Sequence, residues 1–251
     1  MIASVGRLPM LAGIALLAAA VLPWPATGAD RYVLAVSWQP AFCETRPGKP
    51  ECRTQTADRF DAEHFALHGL WPEPRGNVYC GVAASDRASD EAGHWDRLPA
   101  IGLTTATREA LDRAMPGSRS FLHRHEWTKH GSCYGASPEG YFSDSLRLMA
   151  ALNDSPVQAL FAAGIGRVVT GKAIRERFDE AFGAGAGDRV EILCRRVGAR
   201  RLIVELRIGL AGPIDPGRDL AALLAAAAPR APGCGGGIVD RVGTGLTDGK
   251  P

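Results

Sequence analysis

The sequence has almost no excess charge of either sign. Its 29 lysines and arginines nearly balance 27 aspartates and glutamates, which leaves a formal net charge of +2 in 251 residues. A protein that coats a polyanion needs a strongly basic surface, so this class is excluded, and any nucleic-acid site must rely on local positive potential. Internal repeats are also lacking. With 46% apolar and 22% charged residues, the composition is that of one soluble domain with a sizeable core.

Long apolar runs are scarce, and the clearest one lies at the N-terminus, over residues 10–22. It is too short to span a bilayer, which takes about 20 residues. It follows the positive Arg7 and precedes two prolines and a small-residue site ending at Ala29. This pattern predicts a cleaved secretory signal peptide over residues 1–29. The mature protein would be exported, periplasmic or secreted, without membrane attachment, although an uncleaved anchor is an alternative.

Cysteine pairs with the C-x-x-C spacing of many metal sites are absent. The six cysteines all follow the predicted signal peptide, at Cys43, Cys52, Cys80, Cys133, Cys194 and Cys234. An even number in an exported chain predicts three disulfides rather than a metal site. Six cysteines allow fifteen pairings. The residues themselves favour one local bridge, across the loop between Cys43 and Cys52.

The rest of the chain mixes strand and helix patterns without regular alternation. Strands are predicted over residues 31–39, from 64 to about 68, 189–197 and 201–210, the last two as an antiparallel hairpin. Helices are predicted over residues 105–115, 138–152, 156–163, 170–182 and 219–228. The order predicts an α+β fold, an antiparallel sheet with flanking helices. Residues 30–251 would form a single monomeric domain, with a loop over 77–97 and, from Gly233, a glycine-rich tail whose last residues are mobile apart from Cys234.

Histidine is also scarce, yet five of the six histidines lie in the two windows 64–68 and 123–130. The second window belongs to the segment HRHEWTKHGSC. In a helix, His125 would stack over Lys129, and Glu126 over His130, because residues four apart lie about 40° apart around the axis. A pair of imidazoles can supply both acid and base near neutral pH, and lysine can neutralise charge that grows in a transition state. This set of groups suits phosphate chemistry.

The first window contributes His68. Gly69 and Pro72 predict a turn directly after His68, which would present the imidazole to a cleft at the end of a short strand. Taken alone, such a residue is more often a hydrogen-bonded core histidine than a catalyst. The clustering of histidines in two windows favours the catalytic interpretation.

A zinc protease is the first alternative to exclude. Its H-E-x-x-H motif separates two histidines by four residues, so that both reach one metal. Here His130 follows His125 by five residues, about 140° around a helix, and Lys129 occupies the expected ligand position. The sequence therefore predicts neither a metal nor another cofactor.

Two segments closely resemble the active-site segments of the ribonuclease T2 family: HGLWP over residues 68–72 and HEWTKHGSC over residues 125–133. The resemblance implies an α+β fold and an exported endoribonuclease that uses no metal. In such enzymes the ribose 2'-OH attacks the adjacent phosphorus, expels the 5'-oxygen and leaves a 2',3'-cyclic phosphate, which is hydrolysed to a 3'-phosphate. The implied substrate is single-stranded RNA. DNA has no 2'-OH and would not be cleaved.

The resemblance also implies a role for each catalytic residue by its motif position. His130 would be the general base and His68 the general acid, an assignment that the sequence alone does not fix. His125 would hold the phosphate. Lys129 and Glu126 would stabilise the phosphorane-like transition state.

Three further residues are implied at the base of the nucleotide. Trp71 would stack on a base, with a core tryptophan as the alternative, while Glu73 and Tyr79 are weaker candidates for base contacts. His64 and His123 are interpreted as structural or surface residues.

The resemblance further implies how the cysteines pair. The expected bridges are Cys80–Cys133, Cys194–Cys234 and, for the remaining two, Cys43–Cys52. Two other functions stay open at this point: an inactive RNA-binding or toxin-like protein on the same fold, and a metal-dependent hydrolase. The presence of every catalytic motif residue favours an active enzyme.

Overall fold

The computed structural model describes residues 1–2 and 31–243. Nearly all of the predicted signal peptide, and the end of the predicted mobile tail at residues 244–251, lie outside the described residues. In the ranges that are described, no helix combines the length and the apolar character needed to cross a bilayer.

A mixed sheet forms the centre of the fold. Its strands are β1 (Arg31–Ser37), β2 (Ala66–Pro72), β3 (Val168–Thr170), β4 (Val190–Val197), β5 (Arg200–Ala211) and β6 (Gly236–Ile238). The order is β2-β1-β5-β6-β3, and β4 pairs with β5 as the predicted hairpin. All pairs are antiparallel in this described sheet except β5 with β6, which is parallel. The predicted α+β fold is confirmed.

Nine helices surround the sheet in the part of the chain that the structure describes, and five of them begin at a side-chain cap. They are α1 (Gln39–Thr45), α2 (Pro50–Arg53), α3 (Ala84–Glu91), α4 (Thr105–Ala114), α5 (Leu122–Lys129), α6 (Pro138–Asn153), α7 (Pro156–Ala163), α8 (Gly171–Phe182) and α9 (Leu220–Ala226). The side chains of Thr104, Ser137, Ser155, Thr170 and Asp219 each accept a hydrogen bond from a first-turn N–H. Such caps satisfy donors that lack a helical partner. The five helices predicted from these signals are confirmed.

The core lies on one face of the sheet. On β1, Tyr32, Leu34 and Val36 enter the main hydrophobic cluster together with buried residues of α6, α7 and α8. Successive strand residues point to opposite faces, so Ala35 and Ser37 lie on the other face. Their small side chains leave space above β1, and the candidate site occupies this face.

The predicted turn after His68 is wrong. Strand β2 continues to Pro72, with Gly69 opposite Ala35 and Leu67 opposite Val36, so the register skips His68. An extra residue of this kind is a β-bulge, which bends a strand and re-aims a side chain. Glycine is needed at position 69 for space rather than for a turn, because an added Cβ would collide with Glu126 and Trp71.

Two regions predicted to be irregular are ordered. The predicted loop 77–97 contains α3, whose sequence is mostly polar, with Ala84 and Ala88 as its apolar residues. The first part of the glycine-rich tail contains β6, which is not predicted from the sequence, and then the buried Val239. The glycine-rich sequence does not show the pattern of a strand. The backbone at position 236 adopts φ = +117°, a conformation that favours glycine. The backbone oxygen of Asp240 also accepts a hydrogen bond from Trp38 Nε1 at 2.7 Å.

The three implied disulfides are confirmed. They join Cys43 to Cys52, Cys80 to Cys133, and Cys194 to Cys234, with sequence separations of 9, 53 and 40. The second bridge ties the loop after β2 to the end of α5. The backbone N–H of Tyr79 strengthens this link by donating to Lys129 O at 2.9 Å.

We expect the double variant Cys80→Ala/Cys133→Ala to lose about 2 to 4 kcal/mol of unfolding free energy, because the bridge restricts a long loop in the unfolded chain. Denaturant titration of oxidised protein measures this loss. The matched control is Cys43→Ala/Cys52→Ala, which opens a much shorter loop and should cost roughly 1.5 kcal/mol less by the same relation. Equal losses in the two variants would contradict the loop-length argument.

Candidate active site

The second motif segment forms α5 and the turn that ends it. The helix spans Leu122–Lys129, and His130 caps it with φ = −113° and ψ = −48°. Trp127 anchors the helix by packing edge-on against the buried Tyr141, with a ring distance of 5.9 Å. Gly131 is required beside it, because a Cβ there would collide with the Trp127 ring. This anchoring fixes the opposite face of α5 toward β2.

Glu126 lies at the centre of the site and is completely buried. Its Oε2 accepts a hydrogen bond from Trp71 Nε1 at 2.8 Å. Its Oε1 lies 3.7 Å from His68 Nε2 and 3.9 Å from His125 Nε2, and has no hydrogen-bond partner among the residues described. Burial raises the pKa of Glu126, although His68, His125, Trp71 and Lys129 act in the opposite direction.

His68 approaches Glu126 from the β2 bulge, and its side chain is 32% exposed. Its Nδ1 lies 2.7 Å from Glu205 Oε2 on β5. Burial acts to lower the pKa of His68, but the hydrogen bond to Glu205 and the charges of Glu126 and Glu205 outweigh it, and the pKa is raised. The raised pKa favours the protonated form of His68.

His130 has the opposite electrostatic environment. Burial, followed by the positive charges of His125, Lys129 and His68, lowers its pKa to about 3. Its ring lies 5.4 Å from the Trp71 ring and stands perpendicular to the His125 ring at 6.2 Å. Its Nδ1 is buried and has no hydrogen-bond partner within residues 31–243. This histidine is neutral above about pH 4, so it can accept a proton.

His125 is held by two residues that the sequence did not predict. Its Nδ1 lies 2.7 Å from Asp90 Oδ1, and its ring stacks on Trp95 at 4.5 Å. These contacts leave Nε2 directed toward Glu126. Both partners belong to the region predicted to be loop, where no periodic pattern marks them.

The three candidates for base contacts occupy different settings. Trp71 lies inside the site, but its ring is surrounded by His68, His130 and the guanidinium of Arg207, at 5.2, 5.4 and 5.4 Å. Glu73 Oε1 pairs with Arg230 at 3.2 Å. The Tyr79 hydroxyl donates to Asp90 Oδ2 at 2.8 Å. The base contacts of Trp71, Glu73 and Tyr79 stay predictions.

The two histidines predicted to be structural lie apart from these groups. His64 stacks on Phe60 at 4.0 Å and bonds its backbone oxygen. His123 is buried beside Arg108, with 2.9 Å between Nε2 and the guanidinium. Burial and the charges of Arg108 and Arg124 lower the pKa of His123 to about 4.

Two cavities adjoin the site. A cavity of about 390 Å³ extends from His68 and Glu205 toward Gln39, Lys49 and Trp95. A smaller one of about 70 Å³ is bordered by Trp71, His130 and the arginines 75, 207 and 230. Space on both sides of the histidine pair suits an extended ligand, and the basic residues around it suit an anionic one.

Three potential metal ligands also converge here. One ligand atom each from His125, Glu126 and His130 lies within 4.8 Å of the others. The predicted 140° separation does not keep them apart, since the helix ends at Lys129. However, Trp71 already bonds Glu126, and the charge of Lys129 acts on both Glu126 and His130. A neighbouring cation disfavours a metal ion and favours an anion.

Comparisons with known proteins agree with the motif resemblance. The sequence model of the Ribonuclease T2 family matches residues 29–216. Ribonuclease I of Escherichia coli is 30% identical over 228 residues, covering 78% of this chain and 84% of that protein. The crystal structure of RNase NT in complex with 5'-AMP has a TM-score of 0.53 at 21% identity, covering 84% of this chain and 97% of that one. Japanese pear S3-RNase gives 0.52 at 16% identity, with coverages of 84% and 99%.

Proposed function

The chain belongs to the ribonuclease T2 family, and we propose that it is an exported, metal-independent endoribonuclease that cleaves single-stranded RNA by transphosphorylation. RNA cleavage follows from the family and its ribonuclease relatives. One observation supports the mechanism most strongly. His68 and His130 flank the buried Glu126, and their surroundings shift their pKa values in opposite directions.

In the first step, neutral His130 takes the proton of the ribose 2'-OH. The 2'-oxygen attacks the adjacent phosphorus, the bond from phosphorus to the 5'-oxygen breaks, and protonated His68 gives its proton to that oxygen. In the second step a water replaces the leaving alcohol and the two histidines exchange roles, which gives a 3'-phosphate. The proton transfers prevent the accumulation of unstable oxyanions.

The remaining site residues would act on the phosphate. His125 would donate from Nε2 to a phosphate oxygen, because its Nδ1 is engaged by Asp90. Lys129 would oppose the charge that grows on the phosphorane-like transition state. Glu126, which lies between His68 and His125, would also stabilise this transition state.

Export is supported by the predicted signal peptide and by the three disulfides, which are typical of oxidising compartments. We expect the mature enzyme, from residue 30 onward, to act as a single-domain monomer in the periplasm or outside the cell.

The test incubates purified mature protein in EDTA with a short single-stranded RNA and its DNA counterpart, and identifies product termini by mass spectrometry. RNA fragments ending in 2',3'-cyclic phosphate, with intact DNA, are the expected result. Activity that appears only with a divalent metal would overturn the metal-free mechanism and direct attention to His125, Glu126 and His130. Binding of RNA without cleavage in either condition would favour the inactive RNA-binding alternative.

The pH dependence of kcat/KM should be bell-shaped. His130 must be unprotonated, so activity rises as the pH increases through its pKa of about 3. His68 must be protonated, so activity falls as the pH increases through its raised pKa, above 6.5. Initial rates between about pH 2.5 and 9.5 measure both limbs. The absence of any decline up to about pH 9 would contradict the assignment of His68.

A further inference from the structure

A carboxylate outside both motif segments supports the histidine proposed as the acid. Glu205 Oε2 lies 2.7 Å from His68 Nδ1, and its other oxygen accepts a hydrogen bond from Arg207 Nε at 2.7 Å. Glu205 is only 9% exposed. The Arg207 guanidinium lies 5.4 Å from the centre of the Trp71 ring. The three residues form a continuous chain, from Arg207 through Glu205 to His68.

The sheet brings these residues together across an intervening strand. His68 belongs to β2 and Glu205 to β5, with β1 between them. Ser37 of β1 lies opposite Glu205, and Ala35 lies opposite Arg207. Because both β1 side chains are small, the bulged His68 can reach over β1 to the carboxylate. A large side chain at either β1 position would fill this space.

Because Glu205 is buried, its ion pairs with His68 and Arg207 are not incidental surface contacts. Burial alone raises the pKa of this carboxyl, yet the hydrogen bond to His68, the charge of His68 and Arg207 together lower it. Glu205 therefore stays ionised in a largely dry position. Burying a charge costs free energy that a well-packed apolar residue would avoid. The charge serves the imidazole that it contacts.

We infer that Glu205 is a positioning residue for the proposed reaction, which fixes His68 with Nδ1 as the hydrogen-bond donor and leaves Nε2 to exchange the proton with substrate. This inference rests on the proposed function. A neutral imidazole has two tautomers, and the acceptor at one nitrogen decides which nitrogen keeps its hydrogen. After the first step, His68 would thus keep Nδ1–H and present an unprotonated Nε2 for the second step. Arg207 holds Glu205 in place.

The charged groups that face His68 allow the pH effect to be assigned. Glu126 approaches from α5, Glu205 and Arg207 from β5, and His130 from the end of α5. Glu205 favours the protonated imidazole through both its hydrogen bond and its charge. Its neutralisation should lower the pKa of His68, and the alkaline limb of the rate profile should move to lower pH.

The experiment compares Glu205→Gln with wild type and with Glu109→Gln, which removes the same charge from the exposed surface of α4, away from the site. For Glu205→Gln we expect kcat to fall at least about tenfold, because acid catalysis contributes about 10²-fold or more, with KM little changed and the alkaline limb at lower pH. In His68→Ala, the added Glu205→Gln substitution should cause no further loss, since both changes affect one group. Glu109→Gln should retain the wild-type kcat and both limbs of the pH profile.

Wild-type kcat and an unmoved alkaline limb in folded Glu205→Gln would overturn the inference, as would an equal effect of Glu109→Gln. If Glu205→Gln moved the acidic limb of the pH profile instead, the contact with His68 would be supported. The role of general base would then belong to His68. Should Glu205→Gln fail to fold, ¹⁵N NMR of wild type above the pKa of His68 gives the answer. An Nδ1–H tautomer supports the inference, and an Nε2–H tautomer overturns it. A wild-type protein that does not cleave RNA contradicts the proposed function itself.

Discussion

His130→Ala should lower kcat on RNA by at least about 100-fold, because the neutral imidazole proposed to accept the 2'-OH proton is lost. Its low pKa keeps it ready for this role across the physiological range. Single-turnover cleavage of a short oligoribonucleotide measures the chemical step without interference from product release. Circular dichroism verifies that the variant is folded.

The matched control for this substitution is His64→Ala. His64 stacks on Phe60 outside the site, so its loss should leave the rate within about a factor of two of wild type. Retention of more than about a tenth of wild-type turnover by His130→Ala would contradict its assignment as the general base.

His68→Ala should cause a loss of similar size on RNA, with one informative difference. An aryl oxide leaving group departs without a proton. Cleavage of a nucleoside 3'-(aryl phosphate) therefore needs a base but no acid. On that substrate, His68→Ala should recover most of the wild-type rate while His130→Ala stays impaired. The release of the phenol measures both rates by absorbance.

The comparison also fixes which histidine is the acid, a point that the sequence left open. Recovery in His130→Ala rather than in His68→Ala would reverse the two roles. If both variants lost as much activity on the aryl substrate as on RNA, the division into one acid and one base would be contradicted.

The sequence predicted the site through residues that are close together in the chain. The segments 68–72 and 125–133 contain every residue proposed to contact the phosphate, and their meeting around Glu126 is the central feature of the structure. The sequence alone could not predict the roles of Glu205 and Asp90, which contact His68 and His125. Each lies in an element whose local pattern serves another purpose, and its role depends on a contact with a residue far away in sequence.

The differences between the predicted and the observed secondary structure have a common physical origin. The predicted turn after His68 rests on the backbone freedom of Gly69. In the structure, Gly69 instead leaves room for Glu126 and Trp71. The polar helix Ala84–Glu91 and the glycine-rich strand Gly236–Ile238 have weak patterns of their own. Tertiary contacts order them: Asp90 bonds two site residues, and the strand is held between β3 and β5.

The contact between His68 and Glu205 joins positions 137 residues apart in the sequence. A ribosome completes both motif segments well before it reaches β5, so a growing chain carries the recognisable residues before it carries the support for one of them. We expect full activity only after the strand with Glu205 has joined the sheet. For an enzyme that attacks RNA, this order of assembly delays activity until the chain is nearly finished.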